Sequence, residues 1–350
     1  MDKLNITFDA RMSEHSGIGT YIKNLLKELD RDKDVELTVI CKSKNNLDLS
    51  NVKKFHYLET DIYSIKEQYE LIKFFPKKAK NNYFWSPHIN IPLMYGCKNL
   101  IVTVHDLLFF EEDIFPQNFF KRAYRNLFFK YLSKKSKIIF TPSQFTKDLL
   151  NRRYPITSEK TVVTHLGVNS EWRKSLSPKK KKEIIFIGNI KKNKNLGLLL
   201  KAFNQIKNQI PHNLVIIGAS ENMRSKEDLT QFDINEKRVV IEGRLSDVAL
   251  VNKISEAELV VCPSLYEGFG LVPVESYAIG TKVLCSDIPV HREVMGGFAN
   301  FFKSGDIDSC AQEILNSLSM PNHFNKEKLF QKYDWYLTAE KSKKSILKIN

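Results

Sequence analysis

Pro263-Ser264-Leu265-Tyr266-Glu267-Gly268-Phe269-Gly270-Leu271-Val272-Pro273-Val274-Glu275 joins an apolar run, Leu259 to Pro263, to a helical period, Leu271 to Ile279. Strand, glycine-bracketed turn and helix in that order form the repeating unit of a parallel α/β sheet. Glycines let backbone N–H groups approach a ligand closely, and a helix N-terminus attracts phosphate. Glu267 and Glu275 stand on either side of the turn, and carboxylates accept hydrogen bonds from sugar hydroxyls. The segment is equipped to hold a sugar, a ribose and a diphosphate together, as a nucleotide-sugar site must.

The same alternation extends outward from this segment. Ile184 to Gly188, Leu214 to Gly218, Val239 to Gly243 and Lys282 to Ser286 read as further strands, and Lys194 to Asn208, Asp247 to Glu256 and Asp306 to Leu318 as helices. Upstream, strands are expected at Leu4 to Phe8, Leu37 to Cys41, Tyr83 to Ser86, Leu100 to His105, Lys137 to Thr141 and Thr161 to Leu166. Helical spacing covers Thr20 to Leu29, Ile65 to Lys80, Asn118 to Ser133 and Ser143 to Arg152, with Ser143 as an N-cap. Between the halves, Ser175-Leu176-Ser177-Pro178-Lys179-Lys180-Lys181-Lys182 is polar and cationic, which suits an exposed linker. Two successive doubly wound domains direct a ligand to the carboxyl ends of their strands.

At 350 residues with 42% hydrophobic content, the chain supports two ordinary cores and is not a disordered polymer. Its apolar runs fall far short of the roughly 20 residues of a bilayer span. Met1-Asp2-Lys3-Leu4-Asn5 leads straight into a strand pattern, so a cytoplasmic protein is expected. Cys41, Cys97, Cys262, Cys285 and Cys310 form no Cys-x-x-Cys pair and read as reduced and structural. With 54 basic against 40 acidic residues, the formal charge is +14. Nucleic acid, an anionic membrane face or a phosphorylated substrate would each account for it, as would plain solvated lysine.

Three motifs occur in order: Val104-His105-Asp106-Leu107, Gly188 to Asn195, and Glu267 to Glu275. Together with the Gly17-Ile18-Gly19 loop, the chain resembles the retaining family 4 glycosyltransferases, whose Glu–seven residues–Glu motif the last segment matches. The resemblance implies an α/β GT-B fold: two doubly wound Rossmann-like domains facing a cleft, with a C-terminal helix crossing back to the first. The expected division is 1–174 on the acceptor side, a linker at 175–182, a nucleotide-sugar domain at 183–333, and the returning helix at 334–350. Phe8-Asp9-Ala10-Arg11 followed by Gly17-Ile18-Gly19-Thr20-Tyr21 is similar to bacterial polysaccharide mannosyltransferases, which favours GDP-mannose over a UDP-hexose.

The resemblance also assigns roles. Glu275, read in the first turn of its helix, would take the ribose hydroxyls; otherwise it complements the helix dipole. Glu267 would hold the donor sugar and stabilise an oxocarbenium-like charge, or else cap the turn. Amides of Phe269, Gly270 and Leu271, after Gly268, would face the diphosphate, with the Phe269 ring itself packing. Lys194 would meet charge growing on the β-phosphate. Asn189 and Asn193 stand where arginine is common in the family, and Lys191 and Lys192 are the available substitutes. Gly17 and Gly19 would lie under the donor phosphates or merely punctuate a turn. His105 would contact the donor sugar with Asp106 orienting it, against a histidine satisfied by backbone. Arg11 and Ser143 fall on the acceptor side, and Gly243-Arg244-Leu245 near the base.

Asp306-Ile307-Asp308 has the spacing of a metal-binding pair, but the helical period after it makes capping the better account, so no metal is expected. Phe119 to Tyr131 interleaves aromatic and basic residues and would suit an anionic membrane bearing a lipid-linked glycan acceptor, with Ile72 to Lys78 extending that surface; the alternative is an ordinary amphipathic helix. The leading reading is a hexosyltransferase building cell-surface polysaccharide, at the inner face of the cytoplasmic membrane or free in the cytoplasm. A sugar-nucleotide epimerase on the same scaffold is opposed by the intact glutamate pair. A catalytically silent scaffold would be hinted at only by the missing arginines. A nucleic-acid-binding protein rests on charge alone, with no docking motif.

Overall fold

The computed structural model describes residues 3–43, 47–62, 64–74, 81–91, 99–174, 179–218 and 237–349. Its chain divides into two compact units: Met1–Glu112, Pro116–Gly167 and Tyr333–Asn350 in one, Asp113–Phe115 and Val168–Lys332 in the other.

The first unit holds β1 (Leu4–Asp9), β2 (Val35–Cys41), β3 (Lys54–Tyr57), β4 (Asn82–Ser86), β5 (Leu100–Thr103), β6 (Ser136–Thr141) and β7 (Thr161–Val163). They form one parallel sheet in the order β3-β2-β1-β4-β5-β6-β7. Helices α1 (Ile18–Arg31), α2 (Ile65–Leu71), α3 (Phe119–Lys135) and α4 (Gln144–Arg153) intervene. In α1, Tyr21, Ile22, Leu25, Leu26 and Leu29 are buried, the spacing that puts one helical face on a core. Phe84, Leu100, Val102, Ile139, Phe128, Phe129 and Leu132 belong to the core cluster between sheet and helices.

The second unit winds the same way with β8 (Lys181–Ile187), β9 (Asn213–Ile217), β10 (Val239–Glu242), β11 (Ala257–Cys262), β12 (Lys282–Ser286) and β13 (Asn300–Phe302). These strands are parallel too, in the order β10-β9-β8-β11-β12-β13. Its helices are α5 (Leu196–Ile206), α6 (Asp247–Glu256), α7 (Leu271–Ile279), α8 (Pro289–Met295), α9 (Ile307–Ser319) and α10 (Lys326–Lys332). A final helix, α11 (Trp335–Leu347), belongs to the first unit, where it packs on α1 and Lys343 Nζ meets Asp32 at 2.6 Å.

Several expectations change in detail. β3 and β13 were not anticipated, nor were the short helices α8 and α10. Within the expected linker, 175–178 lie outside the described residues, while Lys181 and Lys182 begin β8 and pair with Glu256 and Glu258. Lys180 Nζ donates to the carbonyls of Ser255 and Ala257, both at 2.8 Å, and of Gly280 at 3.1 Å. Lys180 is thus fastened to the second unit, while Lys179, Lys181 and Lys182 remain exposed. Cys41, Cys262, Cys285 and Cys310 are free and buried; Cys97 and the stretch Phe75 to Lys78 lie outside the described residues.

Candidate active site

In each sheet the strand order reverses at one point, and the loops leaving the two strands there diverge to leave a ligand crevice. In the second unit that point lies between β8 and β11. The β8 loop ends in a 3₁₀ turn at Lys192–Lys194, so Lys194 precedes α5 rather than opening it. The β11 loop carries Ser264 to Gly270. Lys194 Nζ donates to Glu267 Oε1 at 2.6 Å, and Ser264 Oγ donates to the same oxygen at 2.7 Å. The lysine stem runs past Gly188, where an added Cβ would sit 3.7 Å from it. Asn193, standing where an arginine is common, is buried and stitches the loops: its carbonyl accepts from Leu265 N at 2.7 Å. Its side-chain amide donates to Tyr266 O at 3.3 Å. Burial would raise the Glu267 carboxyl, but the Lys194 ammonium outweighs it and holds the group below its usual range. Glu267 is thus an ionised carboxylate whose Oε2 makes no hydrogen bond among the described residues.

The chain turns next at Gly270, whose φ of +89° falls in the region that favours glycine and which precedes α7 without a side-chain cap. The N–H groups of Leu271 and Val272 make no hydrogen bond among the described residues, and Pro273 has none to offer. Phe269 is buried. Glu275 is not in the first turn as expected, since α7 begins at Leu271 and its first turn holds no acid. It is half-buried and, among the described residues, has neither a hydrogen-bond donor nor a cation. Burial pushes its carboxyl up to about 8, with Asp247 adding to the rise. Asp247 opens α6, directly beyond the Gly243-Arg244-Leu245 loop; Arg244 is exposed and Leu245 half-buried. Asn189 is exposed, and its carbonyl accepts from Lys191 N at 2.9 Å.

In the first unit the reversal lies between β1 and β4, and there the full charges pair with one another, while His88 Nε2 and Asn90 Oδ1 are buried without a hydrogen bond among the described residues. Arg11 was expected on the acceptor side, but its side chain is fully buried. Its Nε donates to Asp9 Oδ1 at 2.8 Å and its Nη2 to Glu67 Oε1 at 2.5 Å. Asn90 Nδ2 donates to Glu67 Oε2 at 2.6 Å. Burial works against ionising Asp9, yet Arg11 outweighs it and keeps the carboxyl far below its ordinary value. Arg11 is thus paired with two buried carboxylates within the first unit. Ser143 is likewise buried: its Oγ accepts from Thr146 N at 3.1 Å and N-caps α4.

His105, just beyond β5, is half-buried with Nε2 2.8 Å from the Pro87 carbonyl. A carbonyl only accepts, so Nε2 carries the proton and Nδ1 is left as an acceptor. Burial lowers this imidazole to about 4, with His88 adding to the fall and the Pro87 bond opposing it. Tyr21 lies edge-on to the ring at 4.8 Å between centroids. Asp106 Oδ1 accepts from Leu108 N at 2.9 Å. Gly17 is exposed, whereas Gly19 is needed for close approach: an added Cβ would meet Ser13 O at 2.3 Å. The N–H groups of Ile18 and Gly19 already donate to Ser16 and His15 carbonyls, both at 2.7 Å.

A family profile described as "Glycosyl transferases group 1" matches residues 168–333, and one described as "Glycosyltransferase Family 4" matches 15–172. The chain is a family 4-like glycosyltransferase. It is 27% identical over 286 residues to the O-antigen chain mannosyltransferase RfbU of Salmonella typhimurium, covering 78% of this chain and 75% of that protein. It is 24% identical to the Escherichia coli O-antigen chain mannosyltransferase B over 68% of this chain and 66% of the other. In structure it resembles sucrose-phosphate synthase from Thermosynechococcus elongatus, with a TM-score of 0.77, 16% identity and 99% of each chain covered. The Anabaena protein Alr3699/HepE in complex with UDP and glucose aligns at a TM-score of 0.74 and 14% identity, over 99% of this chain and 100% of that one. The glycosyltransferase thus has the GT-B fold.

The glycosyltransferase also holds site features that sequence reasoning missed. Ser286 Oγ donates to Ser264 O at 2.5 Å, and His291 Nδ1 lies 3.0 Å from the Ser286 carbonyl. Their one signal in the chain was proximity: Ser264 lies three residues before Glu267, the first acid of the glutamate motif. Asp306 Oδ1 accepts from Ser309 N at 3.0 Å and caps α9. Among the described residues no group of three or more His, Cys, Asp or Glu is arranged to hold a metal ion. No helix among them is long and apolar enough to cross a membrane.

Proposed function

We propose that the enzyme transfers a hexose from a nucleotide diphosphate sugar to a glycan with retention of anomeric configuration. The observation that carries this reading is the Lys194–Glu267 pair at the reversal of the second sheet, beside the uncapped start of α7. A diphosphate seated against the N–H groups of Leu271 and Val272 would draw the Lys194 ammonium to its β-phosphate. Glu267 would then turn to the sugar, and Glu275 would take the ribose hydroxyls that its present surroundings leave it free to bind. Gly243-Arg244-Leu245, beside Asp247, would face the base.

In the reaction the bond from C1 to the β-phosphate oxygen breaks and a bond from C1 to the acceptor oxygen forms on the same face. The acceptor proton passes to the departing diphosphate. Charge grows on that diphosphate as C1 becomes oxocarbenium-like, so Lys194 acts most strongly in the transition state. The neutral His105, with Nδ1 as acceptor, is assigned to a carbohydrate hydroxyl. The mannosyltransferase relatives favour mannose, and with it a GDP donor.

The acceptor we assign is lipid-linked. On α3, Phe119, Leu127 and Tyr124 are 76%, 62% and 52% exposed, and Lys130 and Lys134 are exposed on the same helix, while Arg122 pairs with Glu112 at 3.0 Å. Apolar side chains interleaved with cations on a helix that itself carries no acid suit the face of an anionic bilayer. Sedimentation with anionic vesicles at low salt should carry the enzyme down, and loss of this on Phe119→Ser/Leu127→Ser would support the assignment. If the unaltered enzyme stays in the supernatant, membrane docking is wrong. Thermal unfolding with UDP-, GDP- and dTDP-sugars tests the main reading: one base should raise Tm selectively, by about 2.7 kcal/mol of stability at a hundredfold excess over Kd. Absence of any shift would remove it, and NMR of the product's anomeric proton decides retention.

A further inference from the structure

His291 is 1% exposed, in α8, and is linked to Ser264 and Glu267 through Ser286. Its Nδ1 is 3.0 Å from the Ser286 carbonyl and 3.2 Å from Ser286 Oγ. Since the carbonyl can only accept, Nδ1 bears the proton and the tautomer is set. Ser286 Oγ donates onward to Ser264 O, and Ser264 Oγ to Glu267 Oε1. The imidazole is therefore held at one nitrogen by the same chain of bonds that orients the site carboxylate.

The other nitrogen, Nε2, makes no hydrogen bond among the described residues. It sits at the ring edge that faces the start of α7: a Cβ added to Gly270 would be 3.5 Å from Cδ2 and 3.6 Å from Nε2. Glycine at this position thus keeps the space beside the ring edge clear. Burial lowers the imidazole, with Glu267 opposing, so the ring is neutral and Nε2 has a lone pair. An acceptor at the start of α7 that no group among the described residues engages is available to a donor on a ligand. A diphosphate has no donor to offer, whereas a sugar hydroxyl does.

We propose that His291 Nε2 accepts a hydrogen bond from a hydroxyl of the transferred sugar, making His291 a sugar-recognition residue. The inference rests on the nucleotide-sugar reading above. His291→Asn separates its two nitrogens, because the asparagine amide can still donate to the Ser286 carbonyl but puts nothing at the position of Nε2. His291→Gln, with its polar atoms at the reach of Nε2, serves as a second variant. Binding of the nucleotide sugar and of the bare nucleoside diphosphate is measured for each by titration calorimetry. In His291→Asn the bare nucleotide should bind as in the unaltered enzyme, while the additional affinity due to the sugar falls about 2- to 12-fold. In His291→Gln part of that loss should return. If His291→Asn keeps the full sugar-dependent affinity, the assignment is wrong although the nucleotide-sugar reading stands. Equal losses for sugar and bare nucleotide in both variants would reduce His291 to a structural support. If the unaltered enzyme binds no nucleotide sugar, both readings fall together.

Discussion

Between β1 and β4 in one unit, and between β8 and β11 in the other, the strand order reverses, and each reversal carries charged side chains. In the first, Arg11 lies fully buried between Asp9 and Glu67, with Asn90 closing the last carboxylate. In the second, Lys194 meets Glu267 with 25% and 15% of their side chains exposed, and Glu275 nearby has no partner among the described residues. Similar windings can therefore serve opposite ends. A reversal whose full charges are paired and shut away from solvent is part of the core, even with His88 Nε2 and Asn90 Oδ1 buried there without hydrogen bonds among the described residues, whereas one whose carboxylate and ammonium stay partly exposed is open to a ligand.

The strongest way to break this contrast is at Arg11. Arg11→Met would leave two buried carboxylates without their cation, which costs about 3–5 kcal/mol. Urea unfolding at neutral pH should register a loss of that size, shrinking as acid protonates the stranded groups. In the unaltered protein the sign is reversed. The folded Asp9 carboxyl is held below the ordinary 3.8 of an unfolded aspartate, so its contribution is present above that pH and lost as pH falls below it. A variant as stable as the parent would show that the cluster is not structural.

Lys194→Ala should do the converse. Its half-buried partner, 15% exposed, can be partly resolvated, so stability should fall by less than at Arg11. Turnover should fall about 10²- to 10³-fold, as when a transition-state charge partner is removed. An equal fall in stability and activity would erase the distinction between the two reversals.

Glu275 sharpens the comparison through pH. Burial raises its folded carboxyl from the ordinary 4.5 to about 8, so the fold binds its proton more tightly than the unfolded chain does. Stability from this group is full below 4.5 and declines as pH rises toward 8. Glu275→Gln should therefore be more stable than the parent above neutrality, by about 1–3 kcal/mol, and equal to it in acid. Donor hydroxyls that bond the carboxylate should release a proton on binding at pH 7, visible as a dependence of the binding enthalpy on buffer. A destabilised Glu275→Gln would mean that the group is already satisfied.

How much of this could be read beforehand differs by scale. The two parallel sheets followed from the alternation of apolar runs and helical periods, as did the strand–turn–helix around Gly268 and Gly270. The edge strands β3 and β13 escaped because Lys54–Tyr57 is largely polar and Asn300–Phe302 is three residues long, too little for a period. The short helices α8 and α10 gave too few turns to show a stripe. Charge pairing escaped for a different reason: Arg11 looks like any surface cation until β1, α2 and the β4 loop bring three distant segments around it. The same holds for His291, whose link to Glu267 runs through Ser286 and Ser264 and exists only once β11 and β12 are neighbours.

The smallest effect falls at Ser143, where two roles could be read from the sequence and one is visible in the fold. Its hydroxyl accepts from Thr146 N at the start of α4, so Ser143→Ala should lose the cap and about 1 kcal/mol, while Ser143→Asp should retain it. Both substitutions remove the hydroxyl, and that is what makes the pair informative. A cap depends on an acceptor oxygen, which aspartate supplies; a ligand contact that needs an O–H donor does not survive either change. If KM for the acceptor rises equally in both variants while Ser143→Asp unfolds like the parent, the acceptor role belongs to this residue after all. If only Ser143→Ala changes, and only in stability, Ser143 joins Arg11 among the groups that the first unit uses to hold itself together.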